Sequence, residues 1–269
     1  MIASIKAHRH RVALRPSLAG RIAAVSLILG PLAACSSGAP LNAALTGNRT
    51  LNIARTALAG GNPQMALTVT NAVLKSNPDD SEALIDRGDA YYLLNDCVSA
   101  TADFRHALRI SPRTATAELG LGRCALPTDP RTAATDFGNA SRDAPGDAVA
   151  FNDVGIARAD QSEFGAAQAA FRSALAIDPS MQAASVNLGM SLALGGNPAQ
   201  AEIVLGPIVR GPGATPLIRA DYATSLALAG HPTAANRILI ADMPAAEAEA
   251  MVAQILKLHA LPAAKEAAG

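Results

Sequence analysis

The sequence contains no tryptophan, and aromatic residues make up only 3% of its 269 residues. A core built on large aromatic side chains is therefore excluded. Half of the residues are nevertheless hydrophobic, so the core must be assembled mainly from alanine, leucine, isoleucine and valine. Because alanine is the strongest helix former and lets helices approach closely, we expect an all-α protein.

Motifs for common catalytic and metal sites are also missing. The sequence has no HExxH, no glycine-rich phosphate loop, no GxSxG and no calcium-loop pattern. Its five histidines are scattered without metal-ligand spacing. The Asp79-Asp80 pair follows a predicted helix and is interpreted as a cap or solvated turn. We therefore expect no enzymatic activity, no metal, no other cofactor and no small-molecule substrate.

Acidic residues are absent from the first 34 residues, which contain five basic ones and then an apolar stretch at residues 22–32. That stretch is too short for a membrane-spanning helix of about 20 residues, so residues 1–34 have the layout of a cleavable export signal. Leu32-Ala33-Ala34-Cys35 resembles the lipobox of bacterial lipoproteins, which implies acylation of Cys35. Alternatively, residues 1–34 form an amphipathic or buried helix and Cys35 is an ordinary thiol, but Gly30-Pro31 would break that helix.

The chain beyond the signal is acidic. Without residues 1–34 it keeps 17 basic and 22 acidic residues, a net charge of −5, so we expect no nucleic-acid partner. A multiply acylated Cys35 would be a durable anchor, and residues 35–46 would be its short tether. Since Ser36 replaces the aspartate that follows the cysteine in some lipoproteins, the resemblance implies lipid anchoring at the periplasmic face of the outer membrane.

Three columns of residues recur with a period of about 34, the length of a two-helix repeat. The first column is Ala54, Gly88, Gly122, Gly155, Gly189 and Ala223. The second is Ala66, Ala100, Ala133, Ala167, Ala201 and Ala235. The third is Thr70, Phe104, Phe137, Phe171, Leu205 and Leu239. We expect the small residues to mark a close helix crossing and the third column to fill the gap toward the next repeat.

Prolines divide the repeats in the same register. Each of the first four repeats ends at a proline, which cannot continue a helix, and other prolines stand where a second helix would begin. This pattern, clearest in Ser81–Pro112 and Ala148–Pro179, resembles the tetratricopeptide repeat family. The resemblance implies a right-handed α-solenoid of about six helix-turn-helix repeats over residues 47–242. We expect a capping helix at residues 243–260, with an apolar side that includes Val252, Ile255, Leu256 and Leu258, and a tail at 261–269.

Two cysteines remain beside Cys35. Cys97 stands at the predicted start of a second helix, and Cys124 stands late in the first helix of the next repeat. In stacked repeats these helices are antiparallel neighbours, so we predict a Cys97–Cys124 disulfide, which the oxidising periplasm permits. The alternative is two small buried thiols.

In tetratricopeptide repeats the first helices line the concave surface. Residues three to five apart share a helix face, and the candidates for partner contact are Leu51, Arg55, Ile85, Asp89, Tyr92, Leu119, Arg123, Asn152, Ile156, Val186 and Met190. The few polar groups are well separated, so we expect apolar recognition of a helix or extended segment. The alternative for each residue is packing between repeats.

A lipobox, a tether and repeats that fill the chain resemble the TadD-type lipoproteins of tight-adherence (Tad/Flp) pilus systems. The resemblance implies a protein-interaction scaffold that helps a secretin or other pilus components to assemble. Three alternatives stay open. They are a pilotin or adaptor for another secretion or envelope-biogenesis system, a docking subunit for a peptidoglycan enzyme, and a cytosolic co-chaperone.

Overall fold

The computed structural model describes residues 48–260. Within this range the chain forms thirteen α-helices and no strand, which confirms the predicted all-α fold class. Residues 1–47 and 261–269, with the export signal, Cys35, the tether and the tail, lie outside the described residues. Between residues 48 and 260, no helix combines the length and the apolar character that crossing a membrane requires.

The chain divides into two compact units, the first ending at Ile110 and the second beginning at Ser111. The first unit contains α1 (Asn48–Ala59), α2 (Pro63–Ser76), α3 (Ser81–Leu93) and α4 (Cys97–Ile110). The second contains α5 (Ala115–Ala125), α6 (Pro130–Asp143), α7 (Ala148–Asp160), α8 (Phe164–Ile177), α9 (Gln182–Leu194), α10 (Pro198–Arg210), α11 (Pro216–Leu228), α12 (Pro232–Leu239) and α13 (Ala245–Ala260). Consecutive helices from α1 to α12 pair into six hairpins, which match the six predicted repeats.

Proline and side-chain caps set the helix boundaries. Second helices begin at Pro63, Pro130, Pro198 and Pro232. Proline lacks a backbone N–H, which at the first position of a helix would have no hydrogen-bond partner within the helix. The Asp80 carboxylate accepts a hydrogen bond from the Ala83 N–H at 3.0 Å, so its interpretation as a cap is confirmed. The neighbouring Asp79 instead lies 2.8 Å from His106 Nε2.

Each hairpin is held by the contact of a small residue with a large one. A Cβ added at Gly155 would lie 2.4 Å from the Phe171 ring, and one added at Gly88 would lie 2.6 Å from the Phe104 ring. The phenylalanines of the third column are fully buried. The third column was expected to fill the gap toward the next repeat, whereas in the four repeats that have a glycine the phenylalanine or leucine packs on the glycine of its own hairpin. Only glycine leaves room for that approach.

The alanine column and the last helix complete the core. The second-column alanines are all inaccessible to solvent, namely Ala66, Ala100, Ala133, Ala167, Ala201 and Ala235. Helix α13 packs on α11 and α12 and buries Val252 and Ile255, as a capping helix would. Leu256 and Leu258 were expected on the same apolar side, but they are 38% and 44% exposed because they lie outside the arc of α13 that faces the hairpin.

Replacing Gly155 by alanine is expected to destabilise the full chain by about 1–3 kcal/mol, the usual cost of an extra carbon in a filled core. Gly138 is the matched control, since it also lies inside a helix but an added Cβ there meets no atom within 4 Å. Gly138→Ala is expected to stabilise by up to about 1 kcal/mol through helix propensity. Urea unfolding followed by circular dichroism measures both, and equal effects of the two substitutions would contradict the packing argument.

Candidate functional site

The first helices of neighbouring hairpins lie side by side within each unit. Helix α1 contacts α3 in the first unit, and α7 contacts α9, which contacts α11, in the second. The second helices pack between first helices, because α8 contacts both α7 and α9, and α10 contacts both α9 and α11. The first helices therefore form a layer of their own in each unit, called here the first-helix layer. Its surface is the candidate binding site.

The eleven side chains predicted to contact a partner all belong to first helices, but they differ in exposure. Five are buried, namely Leu51, Ile85, Leu119, Asn152 and Met190. A buried side chain offers a partner almost no surface, so burial favours the alternative, packing between helices, for these five. The other six are exposed or partly exposed, namely Arg55, Asp89, Tyr92, Arg123, Ile156 and Val186. Their contact with a partner stays a prediction.

A row of polar side chains crosses the first-helix layer of the second unit. Arg123 on α5 donates to Asp153 Oδ2 on α7, with Nη2 at 3.1 Å and Nε at 3.2 Å. Next to Asp153, the side-chain oxygen Oδ1 of Asn152 accepts a hydrogen bond from Asn187 Nδ2 on α9 at 3.0 Å. These four residues, called here the polar row, tie three consecutive hairpins together. Asn187 is partly exposed, so its amide can still bond a polar group outside the chain.

The first unit contains a similar link between hairpins. Arg55 on α1 donates to two acids of α3. Its Nε lies 3.2 Å from Asp86 Oδ1, and its Nη2 lies 2.9 Å from Glu82 Oε2. In repeat register Arg55 corresponds to Arg123, since each follows the small residue of its first helix. Asp86 corresponds to Asp153, since each stands two residues before the next small residue. The same interaction is thus built once in each unit.

Burial raises the pKa of the aspartate in each of these links. It raises the pKa of Asp153 above its ordinary value, against the opposing effect of Arg123. It raises the pKa of Asp86 likewise, against the opposing effect of Arg55. An acid whose pKa is higher in the folded than in the unfolded chain keeps its proton longer when folded. As the pH rises from the unfolded-state pKa to the folded-state pKa, such a group therefore lowers the free energy of unfolding.

Sequence reasoning missed both Arg–Asp links and treated Arg55 and Arg123 as isolated charges. The arginines precede their acids by 31 and 30 residues, close to the repeat period. A search for opposite charges at that separation would have found both pairs. Because each guanidinium already binds a carboxylate, neither arginine is a free cation for a partner's carboxylate.

The two predicted disulfide cysteines lie at helix ends. Cys97 is the first residue of α4, and Cys124 is in the last turn of α5. Each is disulfide-bonded, while their pairing with one another stays a prediction. Among residues 48–260, no group of three histidine, cysteine, aspartate or glutamate side chains is arranged to hold a metal ion.

Comparison with known proteins agrees with this architecture. A family described as tetratricopeptide repeat matches residues 51–115 and 152–205. Within these two segments the chain is built of tetratricopeptide repeats. A mouse protein, "FK506-binding protein-like", is 36% identical over 75 residues, which are 28% of this chain and 22% of that protein. The chain therefore spans about a fifth of the length of this curated relative.

Solved structures share the fold over most of the chain. PilW, described as a widely conserved type IV pilus biogenesis factor, is 24% identical with a TM-score of 0.67, over 77% of this chain and 97% of PilW. PilF of Pseudomonas aeruginosa is 14% identical with a TM-score of 0.66, over 77% and 96%. YrrB, described as having an unusual peptide-binding site, is 18% identical with a TM-score of 0.56, over 71% and 98%. These likenesses concern the fold alone.

Replacing Arg123 by methionine is expected to destabilise the protein by about 1–3 kcal/mol near pH 7, because the Asp153 carboxylate loses its charged donor in a largely buried place. The loss is expected to shrink as the pH is lowered, because the carboxyl, its pKa raised further, takes up a proton. Urea midpoints near pH 7 and at acidic pH measure the effect.

Arg158→Met is the matched control for Arg123→Met, because Arg158 also ends a first helix but pairs with Glu163 where both side chains are at least 40% exposed. Its expected cost is below about 1 kcal/mol. A cost for Arg123→Met as small as the control's, or one that does not change with pH, would show that the link stabilises nothing.

Proposed function

We propose that this chain is a non-enzymatic scaffold that holds other proteins through its first-helix layers. The observation that carries the proposal is the second unit's polar row, whose side chains bind one another and leave the partly exposed Asn187 amide for a further partner. Partly exposed Ile156 and Val186 on α7 and α9 supply apolar contact area on the same helices. An extended or helical segment of a partner needs this combination of apolar contact and a few fixed hydrogen bonds.

The scaffold is anchored to the outer membrane, at its periplasmic face, through lipid on Cys35. The support is the sequence, in which five basic residues and no acidic one precede a short apolar stretch and Leu-Ala-Ala-Cys. Lipid at one end and binding helices at the other would keep a partner close to the membrane. A multiply acylated cysteine is durable enough for that task.

The finer proposal is that the chain assists assembly of a Tad/Flp-type pilus or its secretin. The layout of lipobox, tether and repeats supports it, as in TadD-type lipoproteins. A second candidate is a pilotin or adaptor for a type IV pilus, which the fold shared with PilW and PilF over 77% of the chain favours. Both candidates place a secretin or other pilus component against the same helices.

Site-specific photocrosslinking in the native envelope tests these proposals. A photoreactive amino acid at Val186 on α9 is expected to capture a secretin or another pilus component, identified by mass spectrometry. The matched control is Ile203 on α10, a 75% exposed apolar residue of the same repeat but on its second helix, which is expected to capture little. A secretin of a type IV rather than a Tad system would select the second candidate.

The contradicting results are distinct. Equal capture from residues 186 and 203 would refute binding through the first-helix layer. Capture of cytosolic chaperones alone would overturn both location and function, and capture of a peptidoglycan enzyme alone would replace the pilus assignment. Cys35→Ser is expected to lose palmitate labelling and the secretin adduct together, and retained labelling would refute the lipid anchor.

A further inference from the structure

A polar cleft opens in the second unit beside α5 and α6. Its volume is about 370 Å³, and its lining residues are Arg113, Glu118, Asn139, Arg142 and Asp143. Most of these lie in the last turns of α6, while Glu118 is the inner wall on α5. The cleft has room for far more than one water molecule.

Glu118 is the unusual member of this lining. Its side chain is buried, with a residue exposure of 9%. The Oε2 atom is inaccessible to solvent and has no hydrogen-bond partner among residues 48–260. Buried carboxylate oxygens are almost always bonded, because a buried acceptor without a donor is destabilising. Within the described part of the chain, this acceptor therefore lacks a donor.

Comparison between repeats indicates that packing does not call for a carboxyl here. Glu118 stands four residues before Gly122, and the corresponding residues of the other repeats are Thr50, Leu84, Phe151, Ser185 and Arg219. Leu84 is 1% exposed and packs as an ordinary core residue. No other repeat has a carboxyl in this register, and Leu84 shows that an apolar side chain fits it. The negative charge of Glu118 lies in the first turn of α5, where the helix dipole favours it, but its Oε2 atom gains no hydrogen bond from the described residues.

The two arginines of the cleft are bonded to other groups. Arg113 Nε donates to Asp143 Oδ1 at 2.9 Å. Arg142 donates to the Gly138 carbonyl oxygen at 3.2 Å and to the Asn139 side-chain oxygen. Burial, helped by the negative charges of Asp143 and Asp136, raises the pKa of Glu118 above its ordinary value. The local field therefore favours the arrival of positive charge next to this carboxyl.

We propose that the cleft receives a basic side chain of a protein partner, an ammonium or guanidinium group that donates to Glu118. The inference rests on the scaffold function and adds one chemical group that the partner brings. Asp143 and the Asn139 side-chain oxygen are further acceptors in the same lining. Arg113 is 80% exposed, so its guanidinium can turn into solvent and release Asp143 when the incoming cation takes its place.

The test uses the full chain and short blocked peptides, acetyl-Gly-Lys-Gly-amide and acetyl-Gly-Arg-Gly-amide. The control peptide carries norleucine, which has the lysine chain without the charge. Carbon-detected NMR of the glutamate carboxyls is expected to show a shift at Glu118 and a lower Glu118 pKa with at least one cationic peptide, and neither change with norleucine. No shift with either cationic peptide would overturn the proposal.

Variants separate a ligand site from a packing defect. Glu118→Gln keeps the shape without the charge and is expected to weaken peptide binding at least tenfold. Glu118→Leu, which copies Leu84, is expected to raise the urea midpoint and abolish binding. Glu163→Gln, at an exposed glutamate of the same unit, is expected to bind normally. Undiminished binding by Glu118→Gln would overturn the site, whereas the scaffold proposal would fail separately, in the crosslinking at residue 186.

Discussion

The close seating of one large side chain on one glycine is the contact on which every central hairpin depends. At Gly88, Gly122 and Gly155 the glycine Cα faces a buried phenylalanine of the following helix, and at Gly189 it faces Leu205. Because the ring occupies the space that a Cβ would need, the two helices cross at short range and the alanine column closes the rest of the gap. A protein with few aromatic residues thus uses three of them at the same place in successive repeats.

This packing also determines what a partner can reach. In the second unit, α7, α9 and α11 are each covered by their own second helix, by the second helix of the preceding hairpin and by a neighbouring first helix, so little of each remains exposed. What remains is largely polar and already bonded, as in the link between Arg123 and Asp153. The proposed recognition therefore uses the Asn187 amide and partly exposed aliphatic side chains rather than free charge. Glu118 differs from these bonded groups, since its buried Oε2 atom has no donor among residues 48–260.

The repeat architecture could be predicted because small, large and proline columns each have a direct physical meaning. The six hairpins followed from those columns, whereas the final helix was expected because the last repeat of a solenoid needs a cap. Which residues are exposed could not be predicted from these columns. A helix that is covered on several sides lacks the one-sided hydrophobic pattern from which burial is inferred. Leu51 and Met190 were therefore assigned to a surface although they are buried. Long-range pairs such as Arg55 with Asp86 needed a comparison between repeats, and the cleft at Glu118 became visible only with coordinates.

The most direct test of the account is a double-mutant cycle between residues 155 and 171. The sixth repeat pairs Ala223 with Leu239 in the same columns, so Gly155→Ala combined with Phe171→Leu copies a pair that the chain already contains. If the glycine is needed to accommodate the ring, the double variant is expected to lose less stability than the two single variants added together, by about 1 kcal/mol or more. Strictly additive losses would contradict the account, because they would mean that the two residues stabilise the hairpin independently.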